Sequence, residues 1–182
     1  MSAGQEKAGK DVVKVMEYTH HYASTLGGIT MASDGESLIG LWFDGQKNFL
    51  AGLSGAYEET SLMIFNDTVR WLDLYFSGRV PDFTPRLSLR GSAFRKAVWD
   101  ILRRIPYGER MAYGEIAARL SEKRGSPTSA RAVGGAVGHN PISLIIPCHR
   151  VVGNDGSLTG YAGGVHRKKY LLVMEDFTLG KI

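Results

Sequence analysis

The sequence predicts an α+β fold, with a small sheet and a helix in the first half and a mostly helical second half. Two observations carry that expectation. β-rich runs separated by turn residues crowd the early chain, and capped apolar stripes at helical spacing fill the stretch beyond Gly91.

In the first half, Val12 to Tyr18, Gly28 to Ala32 and Leu38 to Phe43 read as strands. Ser33-Asp34-Gly35 is a hairpin signal between the last two. Glu59 to Ser77 is expected to be helical, because Leu62, Phe65, Val69, Leu72 and Phe76 recur every three or four residues. Gly78 stands where a C-cap would, with Pro81 soon after. Residues 78–90 contain Pro81 and Pro85 and little periodic pattern, so they read as a linker. The chain is therefore expected to divide into units 1–90, linker included, and 91–182.

In the second half, Ser92 is placed to cap a helix carrying Phe94, Val98, Ile101 and Leu102, which ends before Pro106. After the Tyr107-Gly108 turn, Tyr113, Ile116, Ala117 and Leu120 form a second stripe. Ser126 and Pro127 read as the cap and first residue of a third helix that Asn140-Pro141 stops. The second and third helices suggest a helix-turn-helix, with Thr128 to Gly138 as its second helix. Leu144 to Ile146 reads as a short buried strand, Asn154-Asp155-Gly156 as the tip of a wing, and Arg167 to Glu175 as a closing helix. Together they predict a winged-helix-like unit.

Composition narrows the function. The 182 residues carry a net charge of +4, split unevenly. Residues 1–90 hold 8 basic and 11 acidic residues, net −3, whereas residues 91–182 hold 14 and 7, net +7. A basic second half suits a module that meets a polyanion. Met1 to Lys10 is polar, and no apolar run reaches the roughly 18 residues needed to cross a bilayer, so a cytoplasmic protein without membrane contact is expected. The single cysteine excludes an internal disulfide and a cysteine-rich zinc site. His20-His21 lacks metal-site spacing, and no metal is expected.

That cysteine lies in the densest functional signal, Ile146-Pro147-Cys148-His149-Arg150-Val151-Val152. A thiol is nucleophilic as thiolate, and an adjacent histidine and arginine can favour that form. On an extended strand Cys148 and His149 would face opposite ways. Proton exchange between them needs a turn, which Pro147 makes plausible, or a bridging water.

Pro147-Cys148-His149-Arg150 followed by Val151-Val152-Gly153 resembles the active-site signature of the O6-alkylguanine-DNA alkyltransferases. Ala130-Arg131-Ala132-Val133-Gly134-Gly135-Ala136 is similar to that family's recognition helix. Asn140-Pro141 and Tyr161-Ala162-Gly163-Gly164 fall where the family has its asparagine hinge and pocket loop. The resemblance covers about Ser92 to Glu175. The first half matches in outline, as the family's small ribonuclease H-like sheet domain. Some relatives carry a structural zinc there, which is not carried over to a chain whose one cysteine is assigned to chemistry.

The resemblance implies direct-reversal repair of double-stranded DNA by a monomer, without a cofactor. The alkyl group of O6-alkylguanine would pass once and irreversibly to Cys148, His149 taking the thiol proton through water and Glu175 orienting and charging the histidine. Asn140 would brace the active-site segment. Tyr113 would turn the 3′ phosphate and donate to guanine N3, and Arg131 would enter the stack as the base leaves. Tyr161, with backbone near Val151 and Ala162, would hold the flipped base. Ala162, being small, suggests tolerance of larger alkyl groups.

Gly134, Gly135 and Gly138 each cost helix stability, roughly 1 kcal/mol relative to alanine, yet with Ala130 and Ala136 they let the helix approach DNA closely. Few of its side chains could read base edges in the major groove, so shape-driven minor-groove docking is expected. Three alternatives fit the residues less well. A non-enzymatic damage sensor would lack the cysteine. A transcription factor would not need Cys148-His149-Arg150, and a cysteine hydrolase would need an oxyanion loop that is not evident.

Overall fold

The computed structural model describes residues 16–181. Strands β1 (Glu17–Ser24), β2 (Gly27–Ser33), β3 (Leu38–Phe43) and β4 (Tyr57–Glu59) form a sheet in the order β3-β2-β1-β4. The first three make an antiparallel meander, with Tyr22 opposite Ile29 and Met31 opposite Leu41. β4 returns parallel to β1. The expected first strand is displaced: Val12 to Val15 lie outside the described residues, and pairing begins at Glu17.

All six residues of β3 are buried. Leu38, Leu41 and Phe43 join the main core, while Ile39 and Trp42 pack with Ala32 beneath Leu50 and Leu53 of the following loop. Helix α1 (Met63–Phe76) lies against the sheet through Ile64, Phe65, Thr68, Trp71, Leu72 and Tyr75. It begins later than Glu59 because Tyr57–Glu59 are taken up by pairing with β1. Gly78 follows the C-cap at φ 74°, a left-handed conformation that glycine adopts without penalty. The 78–90 segment is tied down rather than loose: Leu38 N donates to Arg86 O at 2.8 Å and Ser88 N to Leu38 O at 2.9 Å.

Helix α2 (Ala93–Leu102) starts where expected, its cap Ser92 accepting from Arg95 N at 3.3 Å. Helix α3 (Tyr113–Arg124) buries Ile116, Ala117 and Leu120, and Glu115 accepts from Ala112 N at 2.7 Å. Helix α4 (Ala130–Gly138) is capped by Ser129, which accepts from Ala132 N at 3.1 Å, not by Ser126. Ser121 Oγ takes the Thr128 amide at 2.9 Å and keeps residues 126–128 outside the helix.

Leu144 to Ile146 is a buried turn rather than a strand. Leu144 has φ 68°, Ile145 N donates to Ser143 O, and Ile146 N to Ile142 O. Short strands β5 (Met111–Ala112) and β6 (Val151–Val152) pair in parallel. Beyond them Gly153 N donates to Ser157 O at 2.9 Å to close the wing tip, and no further strand follows among the described residues. Helix α5 (Val165–Thr178) closes the fold. Both halves share one continuous apolar core, running from Met31 and Phe65 to Trp99, Val133 and Leu171. Burial of each large apolar side chain contributes about 1.5–3 kcal/mol, so the two halves are energetically coupled.

Candidate active site

The site starts from a bend. Pro147 leads into a 3-10 turn, Cys148–Arg150, so His149 points into the protein instead of opposite Cys148 on a strand. Asn140, at the end of α4, holds that bend. Its Nδ2 donates to Ile146 O at 2.8 Å, to Ile142 O at 3.2 Å and to Cys148 Sγ at 3.1 Å, while its Oδ1 accepts from Ile142 N. One side chain thus satisfies the turn's backbone and donates to the sulfur.

Behind the thiol lies a buried polar cluster. His149 Nε2 is 2.8 Å from Glu175 Oε1, and both side chains are fully buried. Arg150 donates to Glu175 through Nε and Nη2 and to Ile105 O through Nη1 at 2.7 Å. The Gly108 amide donates to Glu175 Oε2 at 2.9 Å, and the Tyr75 hydroxyl to Oε1 at 2.8 Å. Burial pushes the Glu175 carboxyl up, but the hydrogen bonds from His149 and Arg150 and the Arg150 charge outweigh it and hold it well below the usual range. Since the carboxylate accepts the proton on Nε2, the lone pair is left on Nδ1, which has no partner among the described residues.

Burial raises the Cys148 thiol above its ordinary range, although the Asn140 hydrogen bond and the charge of Lys168 pull it down. Burial also lowers His149, against the pull of Glu175. The pair therefore rests as neutral thiol and neutral imidazole. The expected electrostatic help from Arg150 is absent, because its guanidinium is turned to Glu175 and Ile105. Lys168 supplies the positive charge instead. It is fully buried, lowered to about 8 by burial, and donates to Val151 O at 2.6 Å and Thr159 O at 3.0 Å.

Cys148 opens onto a cavity of about 360 Å3, within the range of small-ligand sites, roughly 300–1,000 Å3. Tyr113, Gly134, Gly135, Tyr161 and Ala162 line it. The Tyr113 hydroxyl donates to Thr159 O and Gly160 O at 3.3 and 3.4 Å, and burial and the nearby Cys148 keep it protonated. The Tyr161 hydroxyl is buried without a partner among the described residues. A Cβ added at Gly135 or Gly138 would meet nothing within 4 Å, so the protein's own packing does not demand glycine there.

With this geometry in view, comparison with known proteins is decisive. Two family descriptions match: "6-O-methylguanine DNA methyltransferase, DNA binding domain" over residues 93–177 and "6-O-methylguanine DNA methyltransferase, ribonuclease-like domain" over residues 18–89. The chain belongs to the 6-O-methylguanine DNA methyltransferase family. It is similar to the methylated-DNA–protein-cysteine methyltransferase of Haemophilus influenzae, 42% identical over 87% of this chain and 86% of the relative. The protein of that name in Methanosarcina acetivorans is 41% identical over 85% of this chain and 95% of its own. Among solved structures, Mycobacterium tuberculosis OGT in complex with DNA superposes with a TM-score of 0.77 at 40% identity, covering 88% of this chain and 94% of that one.

Cys148, Tyr113, Tyr161 and Ala162 line one cavity, whereas Asn140, His149 and Glu175 are buried outside its lining, Asn140 on the sulfur and Glu175 on His149. Arg131 and Ala130 stand exposed in the first turn of α4, outside it. Val151 does not line the cavity, and its carbonyl is taken by Lys168. Sequence reasoning missed Tyr75, Arg150 as a partner of Glu175, Lys168, and the loop residues Lys47 and Asn48, which also line the cavity.

Proposed function

We propose that this chain repairs double-stranded DNA by accepting the alkyl group of O6-alkylguanine on Cys148, once per molecule. The observation that carries the reading is the thiol at a cavity between the glycine face of α4 and the Tyr161 loop, backed by the buried His149–Glu175 pair. The thiol proton passes to His149 Nδ1, directly or through a bridging water, and Glu175 balances the imidazolium. The sulfur then attacks the alkyl carbon, the carbon–O6 bond breaks, and its electrons pass to guanine, whose ring is neutralised by a proton; Tyr113 is placed to donate one. The reaction balances without a cofactor. A thioether has no good leaving group, so the cysteine is not regenerated.

Docking and base extrusion belong to the same proposal. O6 of guanine lies on the major-groove edge of a stacked, paired base, so a protein docked in the minor groove reaches the alkyl carbon only when the nucleotide leaves the stack, at a cost of a few kcal/mol. Gly134 and Gly135 give α4 a flat face for the minor groove, Arg131 fills the vacated stack, Asn140 braces the acceptor segment, and Tyr161 with Ala162 receives the base. The chain divides into two units, 1–90 and 91–182, whose buried residues join in one apolar core. No helix among the described residues is long and apolar enough to cross a membrane. The proposal includes a monomer that works in the cytoplasm.

The deciding experiment is mass spectrometry after incubation with an oligonucleotide containing O6-methylguanine. A methyl group on Cys148, with repair reaching a plateau at one guanine per protein, is expected. Sustained turnover, or repair with an unmodified thiol, would refute the mechanism.

A further inference from the structure

The cavity has a wall that the second half of the chain does not supply. The loop after β3 folds across Trp42 through Leu50 and Leu53 and brings Lys47 and Asn48 to the cavity. Three consecutive residues anchor it. Gln46, buried at 7% exposure, accepts from Phe43 N at 3.0 Å and from the Ser143 hydroxyl at 3.4 Å. Lys47 N donates to Ala162 O at 3.1 Å, and Asn48 Nδ2 to Gly138 O at 2.8 Å. Asn48 holds φ 61°, a left-handed conformation that asparagine tolerates better than most residues. The wall is therefore built into the fold, tied to both the pocket loop and the end of α4.

The cavity has two sides. Gly134, just past the first turn of α4 where Arg131 stands, faces Tyr113, which lies against Gly160; on the function proposed above, the nucleotide enters from that side. Gly138 and Ala162 lie on the opposite side, against Asn48 and Lys47. In-line attack puts Sγ opposite O6 on the reacting carbon, so anything attached to that carbon must project sideways, away from the base. The side left for it is the Lys47 wall. Lys47 is exposed, and it is the only lysine or arginine among the described residues lining the cavity.

Resting on the function proposed above, we infer that Lys47 is a specificity-determining residue that favours O6 substituents bearing a negative charge, carboxymethyl being the simplest. A carboxylate on the reacting carbon repels the incoming thiolate, and a cation on the substituent side offsets that repulsion. The step is otherwise the same: the carbon–sulfur bond forms, the carbon–O6 bond breaks, guanine leaves with the electrons and is protonated, and Cys148 becomes S-carboxymethylcysteine.

The test compares second-order transfer rates from duplex oligonucleotides carrying O6-carboxymethylguanine and its neutral isostere, O6-carbamoylmethylguanine. O6-methylguanine and the free base O6-benzylguanine serve as controls, and thermal melting verifies the fold of each variant. Lys47→Ala is expected to lower the carboxymethyl-to-carbamoylmethyl ratio about three- to fivefold, the size expected of an exposed ion pair. Lys47→Glu should lower it further, Lys47→Arg restore it, and added salt shrink the wild-type preference. A ratio unchanged in Lys47→Ala and Lys47→Glu overturns the inference. So does an equal loss on every duplex substrate with free-base transfer intact, which would make Lys47 a phosphate contact. Failure of the wild type to transfer even methyl to Cys148 would instead bring down the functional reading itself.

Discussion

Tyr75 and Glu175 lie one hundred residues apart in the chain, and the Tyr75 hydroxyl donates a 2.8 Å hydrogen bond to Oε1 of the carboxylate. The same hydroxyl lies 3.2 Å from His149 Nε2. The first half of the chain therefore reaches the residues behind the thiol, and it does so from the buried face of α1. Tyr75→Phe removes the donor while keeping the ring that stacks on Trp71. A buried hydrogen bond to a charged group contributes about 1.5–3 kcal/mol, and a stability loss of that size is expected in urea unfolding. Transfer to Cys148 should slow as well, because the His149 ring loses a neighbour that fixes it. Wild-type stability and rate in this variant would show that the contact is incidental.

Glu175 ties stability to pH. Its carboxyl is held below the usual range by His149 and Arg150, so the folded state favours the ionised form. The stability this contributes is fully present above the unfolded value of about 4.5 and is lost as pH falls towards the depressed folded value. Glu175→Gln removes the titration and leaves buried Arg150 without its counter-charge, which is expected to cost about 3–5 kcal/mol near neutral pH. Unfolding curves at descending pH should show a steeper loss in wild type than in this variant below about pH 5. Parallel slopes would mean that another carboxyl governs acid unfolding.

Much of this frame could be read in advance, and what escaped did so for identifiable reasons. The Ser92 cap and the Ile116-Ala117-Leu120 stripe were legible because each depends on neighbours within one turn. β4 was not, since exposed Tyr57-Glu58-Glu59 has no alternation and is a strand only by pairing with Glu17 to Thr19. Leu144 to Ile146 looked like a strand because it is apolar and buried. The Leu144 turn that Asn140 supports leaves no trace in composition. Tyr75 and Lys47 drew no notice, because the groups they meet lie far along the chain. Cys148 and His149 stand out in a local motif and Asn140 through the resemblance, whereas Arg150 was misplaced because adjacency in sequence did not become adjacency to the thiol.

The resting thiol predicts a pH dependence. Cys148 is raised by burial and His149 lowered, so little thiolate exists at neutral pH in the free protein. Alkylation of Cys148 by iodoacetamide should be slower than that of an exposed cysteine at neutral pH and should rise as pH increases beyond the ordinary thiol range. Asn140→Ala should slow it further by removing the 3.1 Å donor to the sulfur. Fast labelling that is flat with pH would show a thiolate already formed.

Gly135 separates stability from docking. An added Cβ meets nothing in the free protein, so Gly135→Ala should stabilise α4 by up to about 1 kcal/mol. If the bare face is there for the minor groove, the same methyl group should weaken duplex binding several-fold, more than it changes transfer from the free base. A variant that is more stable and binds duplex as well as wild type would remove the reason offered for glycine.

Arg131 offers the sharpest separation of docking from extrusion. It is exposed on the first turn of α4, outside the cavity, so the role proposed for it is on the DNA and not on the alkyl carbon. If its guanidinium replaces the departed guanine in the stack, its contribution exists only where there is a stack to fill. Arg131→Ala should then slow repair at least tenfold in fully paired duplex, less where the target is mispaired, and hardly at all with free O6-benzylguanine. An arginine that merely attracts phosphate would behave differently, weakening binding to any DNA by an amount that shrinks as salt rises. Transfer rates on duplex, mismatched duplex and free base at two salt concentrations separate the two. Equal loss on the paired and mispaired targets, vanishing at high salt, would leave the vacated stack without a filler and assign Arg131 to the phosphates.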